Sequence, residues 1–138
     1  MAGELLLDTG ALVSLLDRSQ KHHEVRAEFF REWDRPVVST EAVLTEATHL
    51  LGGLPGGRQA FVDFFLSGGA LLVPATTASL RRASALVSQY ADLPMDYADA
   101  TLVVLAEELD TNLVFTTDRR DFAVYRIKGR RRFEILPG

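Results

Sequence analysis

The chain has 138 residues, of which 47% are hydrophobic and 25% charged, so we expect one globular domain with one core over residues 1–138. The absence of cysteine excludes disulfide scaffolds, cysteine nucleophiles and thiolate metal sites, and the net charge of −4 argues only weakly against a nucleic-acid partner. The first residues lack the basic start and long apolar stretch of a secretory signal, and no apolar run approaches the roughly 20 residues of a membrane span. We therefore expect a cytoplasmic protein.

The first half of the chain predicts two strands and four helices. The run from Glu4 to Asp8 is short and apolar, which is typical of a buried strand. Thr40 can cap a helix whose apolar side includes Val43 and Leu50, and Val25 is expected on the packed face of an earlier helix. The predicted strands are 4–8 and 37–39, and the predicted helices are 11–16, 21–33, 41–51 and 58–67.

The second half predicts three more strands and two more helices. The strands are 71–73, 113–116 and 133–136, and the helices are 77–90 and 97–109. Strands that alternate with helices indicate an α/β domain with a mainly parallel central sheet.

Two aspartates follow predicted strands directly, Asp8 after the first and Asp118 after the fourth. Ligands of open α/β sheets bind at the carboxyl ends of the strands, where these side chains are expected. Each aspartate alone has a structural explanation, and Asp8 in particular could cap the helix that follows it. A carboxylate that points into a partly buried crevice is costly unless it is hydrogen-bonded or binds a cation.

Two further acids stand beside apolar residues in distant segments. Asp99 lies at the start of a predicted helix, and Glu46 lies in the middle of another beside Ala47. Four carboxylates in one pocket would repel each other without a cation. Mg²⁺ and Mn²⁺ prefer such an all-oxygen environment, and they promote phosphodiester hydrolysis.

Four segments, in this order, make the chain similar to the PIN-domain family, and in particular to the toxin ribonucleases of bacterial toxin–antitoxin pairs. The resemblance covers nearly the whole chain. The segments are LLDTGAL at 6–12, VLTE at 43–46, LPMDYADA at 93–100 and FTTDRRDF at 115–122.

This resemblance implies a three-layer α/β/α sandwich, often paired as a homodimer, and a Mg²⁺- or Mn²⁺-dependent endoribonuclease. Activated water would cleave RNA and leave a 5′-phosphate, and a small antitoxin protein would block the pocket. The resemblance also assigns the site residues. Asp8, Glu46, Asp99 and Asp118 would form the catalytic quartet, with Asp8, Asp99 and Asp118 on the metal and with Thr9, Thr116 or Thr117 in support.

Three acids compete with this assignment. Asp96 lies three residues before Asp99 and could share or replace its role. Asp121 lies three residues after Asp118, although the neighbouring Phe122 suggests a structural turn. Glu41 opens the third helix, where the helix dipole already explains an acidic residue.

Residues 119–132 form a basic segment of net charge +6, which leaves −10 for the rest of the chain. This segment could hold the RNA backbone near the pocket, or it could be a solvated tail. The arginines predicted to contact RNA are Arg119, Arg120, Arg126, Arg130, Arg131 and Arg132.

Other chemistries find less support. Glu46 and His49 match half of a di-iron site, but no second copy of that spacing exists, and His49 is expected at the surface. Position 10 is glycine where a haloacid-type phosphatase needs a second aspartate, and no nucleotide-binding glycine loop is present. The remaining alternative to an enzyme is a binding module that holds RNA or a protein without cutting.

Overall fold

The computed structural model describes residues 3–138. Its centre is a five-stranded sheet in the order β3-β2-β1-β4-β7, in which every neighbouring pair is parallel. The strands are β1 (Leu5–Leu7), β2 (Val37–Thr40), β3 (Leu71–Val73), β4 (Leu113–Phe115) and β7 (Glu134–Leu136), and a separate antiparallel hairpin is formed by β5 (Arg126–Ile127) and β6 (Arg131–Arg132).

Helices cover both faces of this sheet and give the predicted three-layer α/β/α sandwich. On one side α1 packs against α2, α3 and α4, and α5 packs against α6 on the other. The helices are α1 (Thr9–Leu16), α2 (His23–Glu32), α3 (Glu41–Leu50), α4 (Gly57–Leu66), α5 (Thr77–Gln89), α6 (Tyr97–Leu109) and the short α7 (Arg119–Phe122).

The central strand explains why the first apolar run is continuous. Leu5, Leu6 and Leu7 are all fully buried, because β1 lies between two strands and under helices on both faces. On one face Phe29 and Phe30 of α2 pack against Phe115 of β4, with ring centroids 5.1 and 6.3 Å apart.

Most predicted elements are confirmed to within one or two residues, and the Val43 amide donates to the Thr40 hydroxyl, as the capping prediction requires. Two predicted core positions are wrong, since Val25 is 60% exposed and Leu50 is 59% exposed. Both lie on the outer side of their helices. The helix α7 and the hairpin within residues 119–132 were not predicted, so this segment is not a free tail.

Within residues 3–138, no helix has the length and apolar character needed to cross a membrane.

Candidate active site

Parallel strands bring their carboxyl ends to one edge of the sheet, and the acidic residues meet there. Asp8 follows β1 and is 5% exposed, and its backbone amide donates to the carbonyl of Phe115 on β4 at 3.0 Å. Asp118 follows β4, and Asp99 comes to the same place from the first turn of α6. The fold therefore unites segments that are more than a hundred residues apart in the sequence.

A threonine hydroxyl links the two strand-end aspartates. The Thr116 hydroxyl donates to Asp8 Oδ2 at 2.6 Å, and the Thr116 hydroxyl oxygen accepts the backbone amide of Asp118 at 2.9 Å. Of the two predicted supporting threonines after β4, Thr116 is therefore the one that holds Asp118. Thr117 is exposed, and its hydroxyl lies so close to Gly10 that a β-carbon at Gly10 would be only 2.1 Å away.

Asp8 occupies the cap position of α1, but its side chain makes no capping hydrogen bond. Helix capping therefore does not explain this buried carboxylate. Thr9, the predicted polar partner of Asp8, is also buried, and its hydroxyl has no hydrogen-bond partner among the described residues. By contrast, Asp96 is exposed and caps α6 by accepting the Asp99 amide at 2.8 Å, which gives Asp96 a structural role.

The closest group of carboxylates consists of Asp99, Asp118 and Asp121, each with an oxygen within 4.8 Å of the others. Asp121 is thus a fifth acid at the site, although the sequence favoured a structural turn at this position. The turn also exists, since the Asp121 amide donates to Asp118 Oδ1 at 3.0 Å and closes the first turn of α7. The i, i+3 spacing of the two aspartates was the sequence feature that pointed to Asp121.

Glu46 reaches the site from α3. It is half-buried and lines a cleft of about 530 Å³ together with His49, Asp96 and Tyr97. Its charge lies near enough to Asp8 to raise the pKa of that carboxyl. His49 is exposed, as predicted. A second cleft of about 260 Å³ shares the Tyr97 wall but contains none of the clustered aspartates.

Burial and mutual repulsion disfavour the ionised forms of these acids. Burial raises the pKa of Asp8 to about 6, and the charges of Asp118 and Glu46 add to this effect against the opposing hydrogen bond from Thr116. Burial also raises the pKa of Asp99 to about 8, with further repulsion from Asp8 and Asp96. None of the three salt bridges within residues 3–138 involves these carboxylates.

The donor set fits a hard divalent cation, because it consists of carboxylate oxygens and a cation would relieve the repulsion that raises these pKa values. Asp99, Asp118 and Asp121 lie together, and Asp8 is linked to Asp118 through the Thr116 hydroxyl. Asp8, Asp99 and Asp118 were predicted from the sequence as metal ligands, and Asp121 was predicted only as an alternative.

Tyr125 also belongs to this site and was not predicted. Its phenol is fully buried and donates to Asp99 Oδ2 at 2.8 Å. Nothing in the spacing of the sequence links Tyr125 to Asp99, because the ring reaches α6 from the loop after α7.

The predicted RNA-binding arginines do not lie together. Arg119 and Arg120 follow Asp118 directly in α7, and the Arg119 guanidinium donates to the carbonyl of Pro137. Arg126 donates to three carbonyls at the end of α7, a structural role, and Arg132 pairs with it across the hairpin.

The turn of the hairpin lies at the other end of α6. There the Lys128 amide donates to Glu107, and Arg131 forms a salt bridge with Asp110 at 3.1 Å. Asp110 lies about 16 Å along the helix axis from Asp99. Arg131, and Arg130 beside it, are therefore not brought to the carboxylates.

Comparison with solved structures supports the same fold. VapC20 from Mycobacterium tuberculosis, described as a sarcin-ricin loop cleaving toxin, superposes with a TM-score of 0.77 at 17% identity, covering 84% of this chain and 91% of that one. VapBC2 from Rickettsia felis, solved bound to a DNA fragment from its promoter, gives a TM-score of 0.70 at 14% identity, covering 96% and 98%.

Sequence comparison gives the family. The protein named Ribonuclease VapC26, from Mycobacterium tuberculosis, is 30% identical over 135 residues, which cover 96% of this chain and all of that protein. The family model described as PIN domain matches residues 5–128, a range that contains every clustered carboxylate. This chain therefore belongs to the PIN domain family.

Proposed function

We propose that the chain is a Mg²⁺- or Mn²⁺-dependent endoribonuclease and the toxin of a toxin–antitoxin pair. The observation that carries this proposal is the group of Asp99, Asp118 and Asp121, whose oxygens lie within 4.8 Å of one another beside the buried Asp8. The relative named as a ribonuclease and the structural neighbours named as toxins support the same activity.

Asp8, Asp99 and Asp118 would hold the cation, and Asp121 is close enough to join them. A bound Mg²⁺ or Mn²⁺ supplies an activated water and neutralises charge on the phosphate. The residues of the chain prepare this site in two ways. Thr116 fixes the Asp8 carboxylate, and the positive amino-terminal ends of α1 and α6 partly offset the accumulated negative charge.

Glu46 stands apart from the closest carboxylates, on the wall of the adjoining cleft. Its half-exposed position on α3 suits a role in orienting water or RNA beside the cation. We therefore include Glu46 in the proposed catalytic quartet.

Arg119 and Arg120 are the arginines that we propose to hold the RNA backbone, since both are exposed and lie in the helix that Asp118 caps. Their positive charge next to a cluster of acids suits a substrate whose phosphate enters the acidic site and whose flanking phosphates remain outside. Contact of Arg126, Arg130, Arg131 and Arg132 with RNA stays a prediction without support from their positions.

A cognate antitoxin is proposed as the protein partner, since one structural neighbour is described as a toxin-antitoxin complex from Klebsiella pneumoniae, with a TM-score of 0.66 at 18% identity over 87% of this chain and 91% of that one. The homodimer and the cytoplasmic location stay predictions.

The test is RNA cleavage by the chelator-treated full chain, with and without added Mn²⁺ or Mg²⁺. We expect cleavage of a structured RNA only when the metal is present, and excess chelator should stop it. Cleavage that is independent of metal would contradict the proposed chemistry. RNA binding without cleavage at any metal concentration would instead identify a binding module.

A further inference from the structure

Aromatic packing explains why the ring of Tyr125 is buried, but it does not explain where the hydroxyl points. Its phenol is fully buried, and its hydroxyl donates to the buried carboxylate of Asp99 at 2.8 Å. The ordinary pKa of a phenol is about 10, so the hydroxyl keeps its proton at neutral pH and is a donor in this hydrogen bond. A neutral donor that faces a buried acid can fix the direction of the carboxylate.

The ring of Tyr125 is held from two sides. Tyr90 and Phe122 both meet it edge to face, with centroid separations of 5.2 Å in each case. The Tyr90 hydroxyl accepts the backbone amide of Arg126 and makes no hydrogen bond to Tyr125, so the phenol is held by the packing of the two rings. The phenol therefore has little freedom to leave Asp99.

The backbone of Tyr125 connects it to the other acids. Its amide donates to the carbonyl of Asp121 at 3.1 Å, and Asp121 is bonded in turn to Asp118. The segment 118–125 thus carries the carboxylates of Asp118 and Asp121, and through Tyr125 it donates a hydrogen bond to Asp99 on α6. Such a link sets the spacing between Asp99 and the pair from α7.

The hydrogen bond also distinguishes the two oxygens of Asp99. Oδ2 accepts from Tyr125, whereas Oδ1 accepts no hydrogen bond from any residue in the described range 3–138. Oδ1 therefore keeps both of its lone pairs for a cation, whereas one lone pair of Oδ2 is used by the phenol. Partners that orient a ligand in this way change metal affinity by about 10- to 100-fold when they are removed.

We propose that Tyr125 is a positioning residue for the metal site, which holds Asp99 so that Oδ1 faces the cation and so that α6 and α7 keep their spacing. This inference rests on the proposed function, because it requires the cation. It adds to that function a residue outside the acidic set, and it predicts a defect in metal binding that appears without RNA.

The test compares Tyr125→Phe with Tyr90→Phe in the full chain. Both variants keep the ring and lose one hydroxyl, but only the first loses a bond to a carboxylate. We expect Mn²⁺ affinity, measured by calorimetry on chelator-treated protein without RNA, to fall about 10- to 100-fold in Tyr125→Phe and to change less than about twofold in Tyr90→Phe. Thermal unfolding without metal checks that each variant is folded.

A second readout follows the phenol itself. Adding Mg²⁺ to the wild type should shift the near-ultraviolet absorption of tyrosine, and the shift should vanish in Tyr125→Phe and persist in Tyr90→Phe. If the wild type binds Mn²⁺ and Tyr125→Phe binds it equally well, the inference is wrong and the proposed function stands. If the wild type binds no Mn²⁺, both the proposed function and this inference fail.

Discussion

The two ends of α6 treat their acidic residues in opposite ways. At its far end, Glu107 is gripped by two hydrogen bonds from Arg82, at 2.8 and 2.9 Å, and these bonds lower its pKa. At its near end, Asp99 faces other acids, and burial raises its pKa to about 8. On the same helix, Glu107 is therefore paired with an arginine, whereas Asp99 is repelled by neighbouring acids.

This difference separates charges that serve folding from charges that serve chemistry. A carboxylate held by arginine needs no further partner, and Glu107 also accepts the amide of Lys128 from the hairpin. Asp8 and Asp99 accept one side-chain hydrogen bond each, from Thr116 and Tyr125, and their remaining repulsion is relieved by protonation or by a bound cation. Changes at the two ends of α6 should therefore have different consequences.

The largest expected effect is the loss of cleavage when the acids of the site become amides. Asp8→Asn, Asp99→Asn, Asp118→Asn and Glu46→Gln should each lower RNA cleavage at least about a hundredfold, a loss of roughly 2.7 kcal/mol. The three aspartates would hold the cation, and Glu46 would orient water or RNA beside it. Cleavage rates with saturating Mn²⁺ test this.

The matched control lies at the far end of α6. Asp110→Asn removes an exposed salt bridge with Arg131 and should leave cleavage near the wild-type rate. Glu41→Gln should also leave cleavage near the wild-type rate. Full activity in two of the four site variants would contradict the assignment of the quartet.

The next effect concerns pH and stability without metal. The raised pKa values of Asp8, about 6, and Asp99, about 8, mean that folding favours their protonated forms. Their contribution to stability is complete below the ordinary value of 3.8. It is lost as the pH rises from there through about 6 for Asp8 and through about 8 for Asp99, so the melting temperature should fall by several degrees between pH 4 and 8. In Asp99→Asn this fall should be smaller.

Glu107 supplies the opposite response. Its lowered pKa contributes stability above its ordinary value of 4.5, and that stability is lost as the pH falls through the lowered value. The melting temperatures of Glu107→Gln and wild type should therefore differ in how they change with pH below about 4.5.

The Asp99 prediction would be contradicted by equal changes of melting temperature with pH in wild type and in Asp99→Asn between pH 6 and 8. Such a result would show that the acids of the site do not repel each other.

A smaller effect is expected at Asp121, which the structure adds to the site. Asp121→Asn should reduce cleavage by about tenfold, less than Asp118→Asn, because the Asp118 carboxylate also caps α7 by accepting the Asp121 amide, and that amide is unchanged in Asp121→Asn. Parallel Mn²⁺ titrations of the two variants measure the difference. A rate equal to wild type would return Asp121 to the purely structural role that its position in the α7 turn suggested.

The smallest effect concerns two exposed arginines. Arg120 lies in α7 beside the acids, and Arg130 lies in the hairpin turn at the far end of α6. Arg120→Ala should weaken RNA binding several-fold and reduce the salt dependence of binding by about one phosphate contact, whereas Arg130→Ala should change neither. Binding isotherms at several salt concentrations test this. A larger effect for Arg130→Ala would restore the prediction that the whole basic segment lines the approach to the site.

The sequence predicted those parts of the site that depend on local pattern. Asp8 and Asp118 were placed by the apolar runs before them, and Asp99 and Glu46 by their helices. Their convergence followed from one rule, that parallel strands end at the same edge. The resemblance to a known family then assigned their roles.

The sequence did not predict where the basic side chains of residues 119–132 lie in the fold, because a run of charges does not show which side chains face the acidic site. Seven basic residues in fourteen suggested one basic edge. In the fold this segment forms α7 and the hairpin of β5 and β6. Arg119 lies near the acids, whereas Arg131 forms a salt bridge with Asp110. The contacts that divide the segment come from α6, far away in sequence.

Local pattern therefore determined which strands and helices form and which acids end them, since apolar periodicity and capping depend on neighbours along the chain. Only the tertiary structure decided the partner of each polar group. It gave Asp8 the hydroxyl of Thr116, gave Asp99 the phenol of Tyr125 and drew Asp121 into the cluster. The physical reason is that hydrogen bonds and charge repulsion act over a few ångströms of space, whatever the separation in sequence.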